Sequence, residues 1–238
     1  MNHFIIDYDS TFIKVESLDE LSKISNGDDE TINNKISEIT NLGMEGKISF
    51  SDSLRKRIEL IECNKEDIVK TVEILEKKVS DSFKNNISFL KNNAENILIV
   101  SSGFHELIEP IVIQYGIKKE NIFANKFLYD NDKVIGYDKK NPLSKSQGKV
   151  NILKELKLKG EVHVIGDGYT DYEIKKEGLA NYFYLFIENI NSIINRDFVP
   201  IPQKGKGTYH ELSDLPSQFR GWDSNISNEI EFLNQFLI

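Results

Sequence analysis

His3-Phe4-Ile5-Ile6-Asp7-Tyr8-Asp9-Ser10-Thr11 is the stretch that decides the fold. Phe4, Ile5 and Ile6 form an unbroken apolar run that stops at two carboxylates, Asp7 and Asp9. Such a run, bounded by polar residues, predicts a strand buried on both faces, the kind found in parallel sheets. Ligands of open α/β sheets bind just beyond the carboxyl ends of the strands, and Asp7 and Asp9 lie at that edge. Side chains two apart in an extended chain point the same way, so both carboxylates are expected to face one ligand. Two neighbouring acids call for a cation or a shared proton. The chemical reading is a metal-assisted site with Asp7 as nucleophile. The plain alternative is a polar strand end that carries two aspartates.

Working outward, two more apolar runs repeat the pattern. Residues 97–100 end in Ser101-Ser102-Gly103, and residues 162–165 end in Gly166-Asp167-Gly168. Helical spacing follows each: Leu107, Ile108, Ile111 and Val112 after the first, and a helix from near Thr170 after the second. A helix is expected over 149–156, short strands over 122–124 and 182–186, and a hairpin around Asp130-Asn131-Asp132. Alternating strands and helices predict an α/β protein with a parallel, Rossmann-like sheet flanked by helices. The three polar tips would then converge on one sheet edge.

Residues 17–92 interrupt that alternation with helix-period apolar sets such as Leu54, Ile58 and Ile61, or Ile68, Val72 and Leu75. They read as a helical cap inserted after the first strand. The expected division is 1–15 and 82–238 for the catalytic core and 16–81 for the cap. Residues 199–225, with Pro200, Pro202, Pro216 and Trp222, read as an exposed excursion. An amphipathic helix with Ile226, Ile230, Leu233 and Leu237 follows it.

Charge and composition narrow the function. Thirty basic against 38 acidic residues leave a net charge of −8, which gives a nucleic-acid partner no global support. Cys63 is the single cysteine, so neither an intramolecular disulfide framework nor a cysteine zinc cluster is expected. No apolar run approaches the ~20 residues that span a bilayer. The expectation is a cytoplasmic protein without a signal peptide, acting on a small molecule, its oligomeric state left open.

Asp7-Tyr8-Asp9-Ser10-Thr11, Ser101, Lys149 and Gly166-Asp167-Gly168-Tyr169-Thr170-Asp171 together resemble the four motifs of the haloacid-dehalogenase-like phosphatases. The resemblance runs in order up to about residue 195. Glu16, Asp19-Glu20 and the run Met44-Glu45-Gly46-Lys47-Ile48-Ser49-Phe50-Ser51-Asp52-Ser53-Leu54-Arg55-Lys56-Arg57 resemble the phosphoserine phosphatases within that superfamily. The resemblance implies a phosphomonoesterase in which Asp7 takes the phosphoryl group and Asp9 is the acid and base. It implies Mg²⁺ on the Asp7 carboxylate, the Asp9 carbonyl and Asp167. Ser101 and Lys149 would hold the phosphoryl group, with Lys145 the alternative lysine. Glu16, Met44, Phe50, Arg57, Ser102, Gly103 and Thr170 would surround substrate, supported by Thr11, Gly168 and Asp171. Plainer roles stand beside these: helix capping for Ser101 and Ser102, a surface position for Glu16, and a capping box for Thr170 with Glu173. Periodicity independently sets Arg57 at the border of its helix's apolar face. The expected substrate is O-phospho-L-serine. The rivals are another small phosphate ester, phosphoryl transfer to an alcohol, or a non-catalytic binding protein.

Overall fold

A computed structural model describes residues 1–27, 29–44, 46–186 and 188–189, with the Met44 side chain left out. The excursion and terminal helix read from residues 199–238 lie outside the described residues.

The chain opens with β1 (Asn2–Ile6) and a π-type turn (Tyr8–Phe12). Four helices follow: α1 (Ser17–Ser25), α2 (Glu30–Met44), α3 (Phe50–Leu60) and α4 (Lys65–Glu76). Two short helices, α5 (Asp81–Asn85) and α6 (Ile87–Asn92), lead to β2 (Ile97–Phe104), α7 (His105–Val112) and β3 (Ile122–Asn125). Then come β4 (Phe127–Asp130), β5 (Lys133–Tyr137), α8 (Gly148–Leu156), β6 (Glu161–Gly166), α9 (Tyr169–Lys176) and β7 (Tyr182–Leu185).

Five strands pair in the order β3-β2-β1-β6-β7, all parallel. The fold is therefore α/β, with a parallel sheet flanked by helices. β1 lies at the centre, which explains its unbroken apolar run. Phe4 and Ile6 pack into one core with the helical insert and α7, while Ile5 packs on the other face with α8 and β6. All three are at most 2% exposed, and burying each contributes about 1.5–3 kcal/mol. The strand order reverses between β1 and β6, so the ligand crevice of such a sheet opens between the residues that follow them.

β4 and β5 form the expected hairpin, turning at Asn131 with a left-handed φ of 52°. The hairpin docks on the α3–α4 connection. Val134 N donates to Cys63 O at 3.0 Å, and Lys65 N donates to Asp132 O at 3.0 Å. Among the described residues no helix is long and apolar enough to cross a membrane.

The local structure departs from the sequence reading at three points. β1 ends at Ile6, so Asp9 is not carried on an extended strand two residues beyond Asp7. The π-type turn carries it, with Ser10 at φ 54°. β2 does not stop at Val100 but runs through Ser101-Ser102-Gly103 to Phe104, with a register shift between Val100 and Phe104. Finally, α9 begins at Tyr169 behind Gly168, and Asp171 Oδ2 accepts from Gly168 N at 3.4 Å. Thr170 is exposed inside the first turn. The Thr170–Glu173 capping box is therefore replaced by the Gly168–Asp171 contact.

Candidate active site

β1, β2 and β6 deliver Asp7, Ser101 and Asp167 to neighbouring positions on the sheet edge, and α8 and α9 add Lys149 and Asp171. Lys149 is the centre of this group. Its ammonium lies 2.8 Å from Asp7 Oδ2 and 2.7 Å from Asp171 Oδ1, and the side chain is 4% exposed. Burial works against the ammonium's charge. Asp171 and Asp7 outweigh it and hold the Lys149 pKa above its ordinary value. Lys145, by contrast, is exposed, so the fold brings Lys149 to Asp7.

Asp7 is anchored at both ends. Its Oδ1 accepts from Tyr8 N at 2.7 Å, and its own N–H donates to Ile165 O at 3.0 Å. Asp9 points elsewhere: its Oδ1 accepts from Ser17 N at 2.7 Å. A Cβ on Gly103 would come 2.8 Å from Asp9 Oδ2, so only glycine leaves this carboxylate its place against β2. Burial, then the charges of Glu16 and Asp7, raise the Asp9 pKa to about 8 against the opposing hydrogen bonds of Ser17. Raised in this way, Asp9 favours its protonated form at neutral pH, while the Lys149 ammonium lies 2.8 Å from Asp7 Oδ2. Two carboxylates held in different environments this way can divide acid and nucleophile roles.

Asp167 accepts from Thr11 Oγ1 at 3.3 Å, and Thr11 is fully buried. Burial first, then Asp7, Asp171 and Glu16, push the Asp167 pKa well up, and Lys149 opposes them. Burial and Asp7 raise Asp171 to about 7, again against Lys149. Gly166 makes room for Asp171, because a Cβ there would sit 2.2 Å from Asp171 Cγ. Oxygens of Asp7, Asp167 and Asp171 lie within 4.8 Å of one another. Three hard oxygen donors, two of them (Asp167 and Asp171) raised by burial and by neighbouring acids, fit a small divalent cation such as Mg²⁺. Asp9's carboxylate is not in that group, and Asp171, read from sequence as a supporting residue, is.

Ser101 is buried, and its Oγ accepts from Gly103 N at 3.0 Å. That leaves its O–H proton free to donate. Neither Ser101 nor Ser102 caps α7, whose N-cap is Phe104. Ser102 is half-buried, and its carbonyl accepts from Asn125 Nδ2 at 2.8 Å. Asn125 also donates to Leu143 O at 3.1 Å, tying the end of β2 to the segment before α8.

In the insert, Glu16 accepts from Ser10 Oγ at 2.7 Å just before α1. Phe50 is half-buried at the start of α3. Arg57 is 7% exposed, in line with its helical phase. Its Nη1 makes a long 3.4 Å hydrogen bond to Thr40 Oγ1. Met44 ends α2, and its side chain lies outside the described residues. Sequence reasoning missed Ser10, Asn125 and Asn189. Asn189 donates to Ser10 O and Ser80 Oγ, both at 3.0 Å, from a segment 179 residues from Ser10. No local signal announces such a contact, although Ser10 itself lies inside the motif.

A central parallel strand with acids at its carboxyl end, a buried lysine between two of them and an acidic group suited to a divalent cation, taken with the family and relatives the chain matches, mark a hydrolase of the phosphoric monoester class. The chain belongs to the haloacid dehalogenase-like hydrolase family, which matches residues 1–175. It is 31% identical over 171 residues to the phosphoserine phosphatase of Homo sapiens, covering 70% of this chain and 74% of that one. It is 31% identical to the chloroplastic phosphoserine phosphatase of Arabidopsis thaliana over 188 residues, 76% of this chain, and spans 61% of that protein's length. A phosphoserine phosphohydrolase-like protein from Francisella tularensis subsp. tularensis SCHU S4 superimposes with a TM-score of 0.69 at 31% identity, covering 82% of this chain and all of that one.

Proposed function

We propose that this chain is a Mg²⁺-dependent phosphomonoesterase that hydrolyses O-phospho-L-serine through an aspartyl-phosphate on Asp7. The observation that carries the reading is Lys149 fixed between Asp7 and Asp171 at the end of the central strand. Asp7, Asp167 and Asp171 would hold the cation, with the Asp9 main-chain carbonyl as a further oxygen. When bound, it supplies positive charge against the phosphoryl oxygens.

In the first half-reaction an Asp7 oxygen attacks phosphorus and the bond to the serine oxygen breaks. Asp9 passes its proton to that leaving oxygen, splitting one hard displacement into two. In the second half, water gives a proton to Asp9 and attacks phosphorus, which releases phosphate and restores Asp7. Lys149 stays cationic throughout and offsets charge on the transferring group. Ser101 donates its free proton to a phosphoryl oxygen, next to the Ser102 and Gly103 backbone.

Residues 16–81 act as the cap in this reading. Glu16 pairs with the substrate ammonium and Arg57 grips its carboxylate. Phe50 and Met44 form apolar walls, and Thr170 borders the mouth. The cytoplasmic setting belongs to the same proposal, with Cys63 buried as a free thiol. A second reading keeps the core chemistry but takes another small phosphate ester. Phosphate release from O-phospho-L-serine, O-phosphothreonine and an aryl phosphate, each with and without Mg²⁺, tests both. Mg²⁺-dependent preference for phosphoserine is the expected result. Turnover of the aryl phosphate alone would keep Asp7 and Asp9 and discard the assignment of Glu16 and Arg57.

A further inference from the structure

Arg57 is held in an unusual way for a buried cation. At 7% exposure it has one hydrogen bond to a neighbouring side chain, the 3.4 Å contact with Thr40. Its Nε is buried with no partner among the described residues. A guanidinium has five N–H donors and no acceptor, and burying it without compensation is unfavourable. No carboxylate among the described residues forms an ion pair with it. A carboxylate stands one hydroxyl away: Thr40 Oγ1 lies 3.0 Å from Asp19 Oδ1, and Ser37 Oγ donates to Asp19 Oδ2 at 3.3 Å.

Thr40 has a single hydroxyl proton and two acceptors in reach, Asp19 Oδ1 at 3.0 Å and Ile36 O at 3.1 Å. A bond to a charged acceptor is roughly twice as strong as a neutral one, so the proton goes to Asp19. That leaves a Thr40 lone pair facing Arg57. The arrangement crosses three elements, with Asp19 on α1, Thr40 on α2 and Arg57 on α3.

We infer that Asp19 and Thr40 are positioning residues that set the specificity of the Arg57 site, a role that rests on the substrate reading above. A direct Asp–Arg pair would occupy the guanidinium's planar fork. Counter-charge relayed through a hydroxyl orients the guanidinium and leaves its remaining donors for a second carboxylate, the one on the substrate. The site therefore selects phosphate esters with a carboxylate beside the ester carbon over equally small esters without one.

The test compares phosphoserine with phosphoethanolamine, which lacks that carboxylate, in the full chain with Mg²⁺. Asp19→Asn and Thr40→Val should each lower the ratio of kcat/KM for phosphoserine to that for phosphoethanolamine by roughly tenfold, mostly through KM for phosphoserine. Thr40→Ser, which keeps the hydroxyl, should restore the ratio. Arg57→Ala separates the two levels of argument. If it leaves the ratio unchanged, the substrate reading fails and this role with it. If it collapses the ratio while Asp19→Asn and Thr40→Val do not, only the positioning role is overturned. An equal loss on both esters in Asp19→Asn would also overturn it, since a merely structural role acts on both. Should Thr40→Val fail to fold, Asp19→Asn and Thr40→Ser still decide.

Discussion

The sheet edge and the helical insert hold their charged groups by opposite means. At the sheet edge three side chains are each tied twice: Asp7 to Tyr8 N and Lys149, Lys149 to Asp7 and Asp171, Asp171 to Lys149 and Gly168. In the insert, among the described residues, Arg57 has a single long hydrogen bond and an unpartnered Nε. Transition-state stabilisation needs groups that do not reorganise during reaction. Discrimination needs donors that one substrate satisfies and another leaves unpaired. The rigid half should therefore govern turnover on every ester, and the sparse half the choice among esters.

The strongest attempt to break that contrast is Asp7→Asn. It should remove turnover of every phosphate ester, by a factor on the order of 10⁴ or more, while circular dichroism and melting stay near wild type. Retained turnover on even one ester would end the nucleophile assignment.

Lys149→Met comes next. It leaves Asp7 and Asp171 facing each other in a buried site without their cation. Turnover at saturating substrate should fall about 10²- to 10³-fold. Stability should drop by about 3–5 kcal/mol, read from denaturant unfolding. An unchanged unfolding midpoint would mean that the pair of contacts contributes nothing to the fold.

A smaller effect concerns pH and the metal-free protein. The folded values of Asp9, about 8, and Asp171, about 7, lie above the ~3.9 of an unfolded aspartate. Between those values the folded chain holds protons that the unfolded chain has lost. Stability therefore falls as pH rises from about 4 toward 8. Without Mg²⁺ the melting temperature should decline by a few °C between pH 6 and pH 8. With Mg²⁺ the decline should flatten, because the cation favours the ionised acids. A melting temperature that rises with pH in the metal-free protein would contradict the burial of these groups.

The smallest effect is the control for the sheet edge. Lys145→Ala removes an exposed lysine four residues before Lys149. Initial rates should change less than about twofold. A large loss would return the motif role to Lys145.

Much of the site is legible in the sequence, because strand ends are. Unbroken apolar runs mark β1, β2 and β6, and the polar residues after each mark the edge. The sequence favours Lys149 over Lys145 only through its place just after Gly148 at the start of the helix. Their difference is burial, which depends on α8 packing beside Asp7. Asp171 is legible as a supporting residue, but not as one of three clustered carboxylates. Its place in the cluster follows from Gly166 leaving room for it and from Lys149 arriving through another helix.

Alone, the sequence determined the parallel sheet, the helical insert and the three acidic or hydroxylic tips, because apolar periodicity and chain order are local properties. The tertiary structure decided the rest. It ended β1 early and set Asp9 on a turn, carried β2 through Ser101, and put Lys149 between two acids. It also joined Asp19, Thr40 and Arg57 across three helices. Each of these depends on which distant surfaces meet, and with them on burial and charge, which no window of sequence contains.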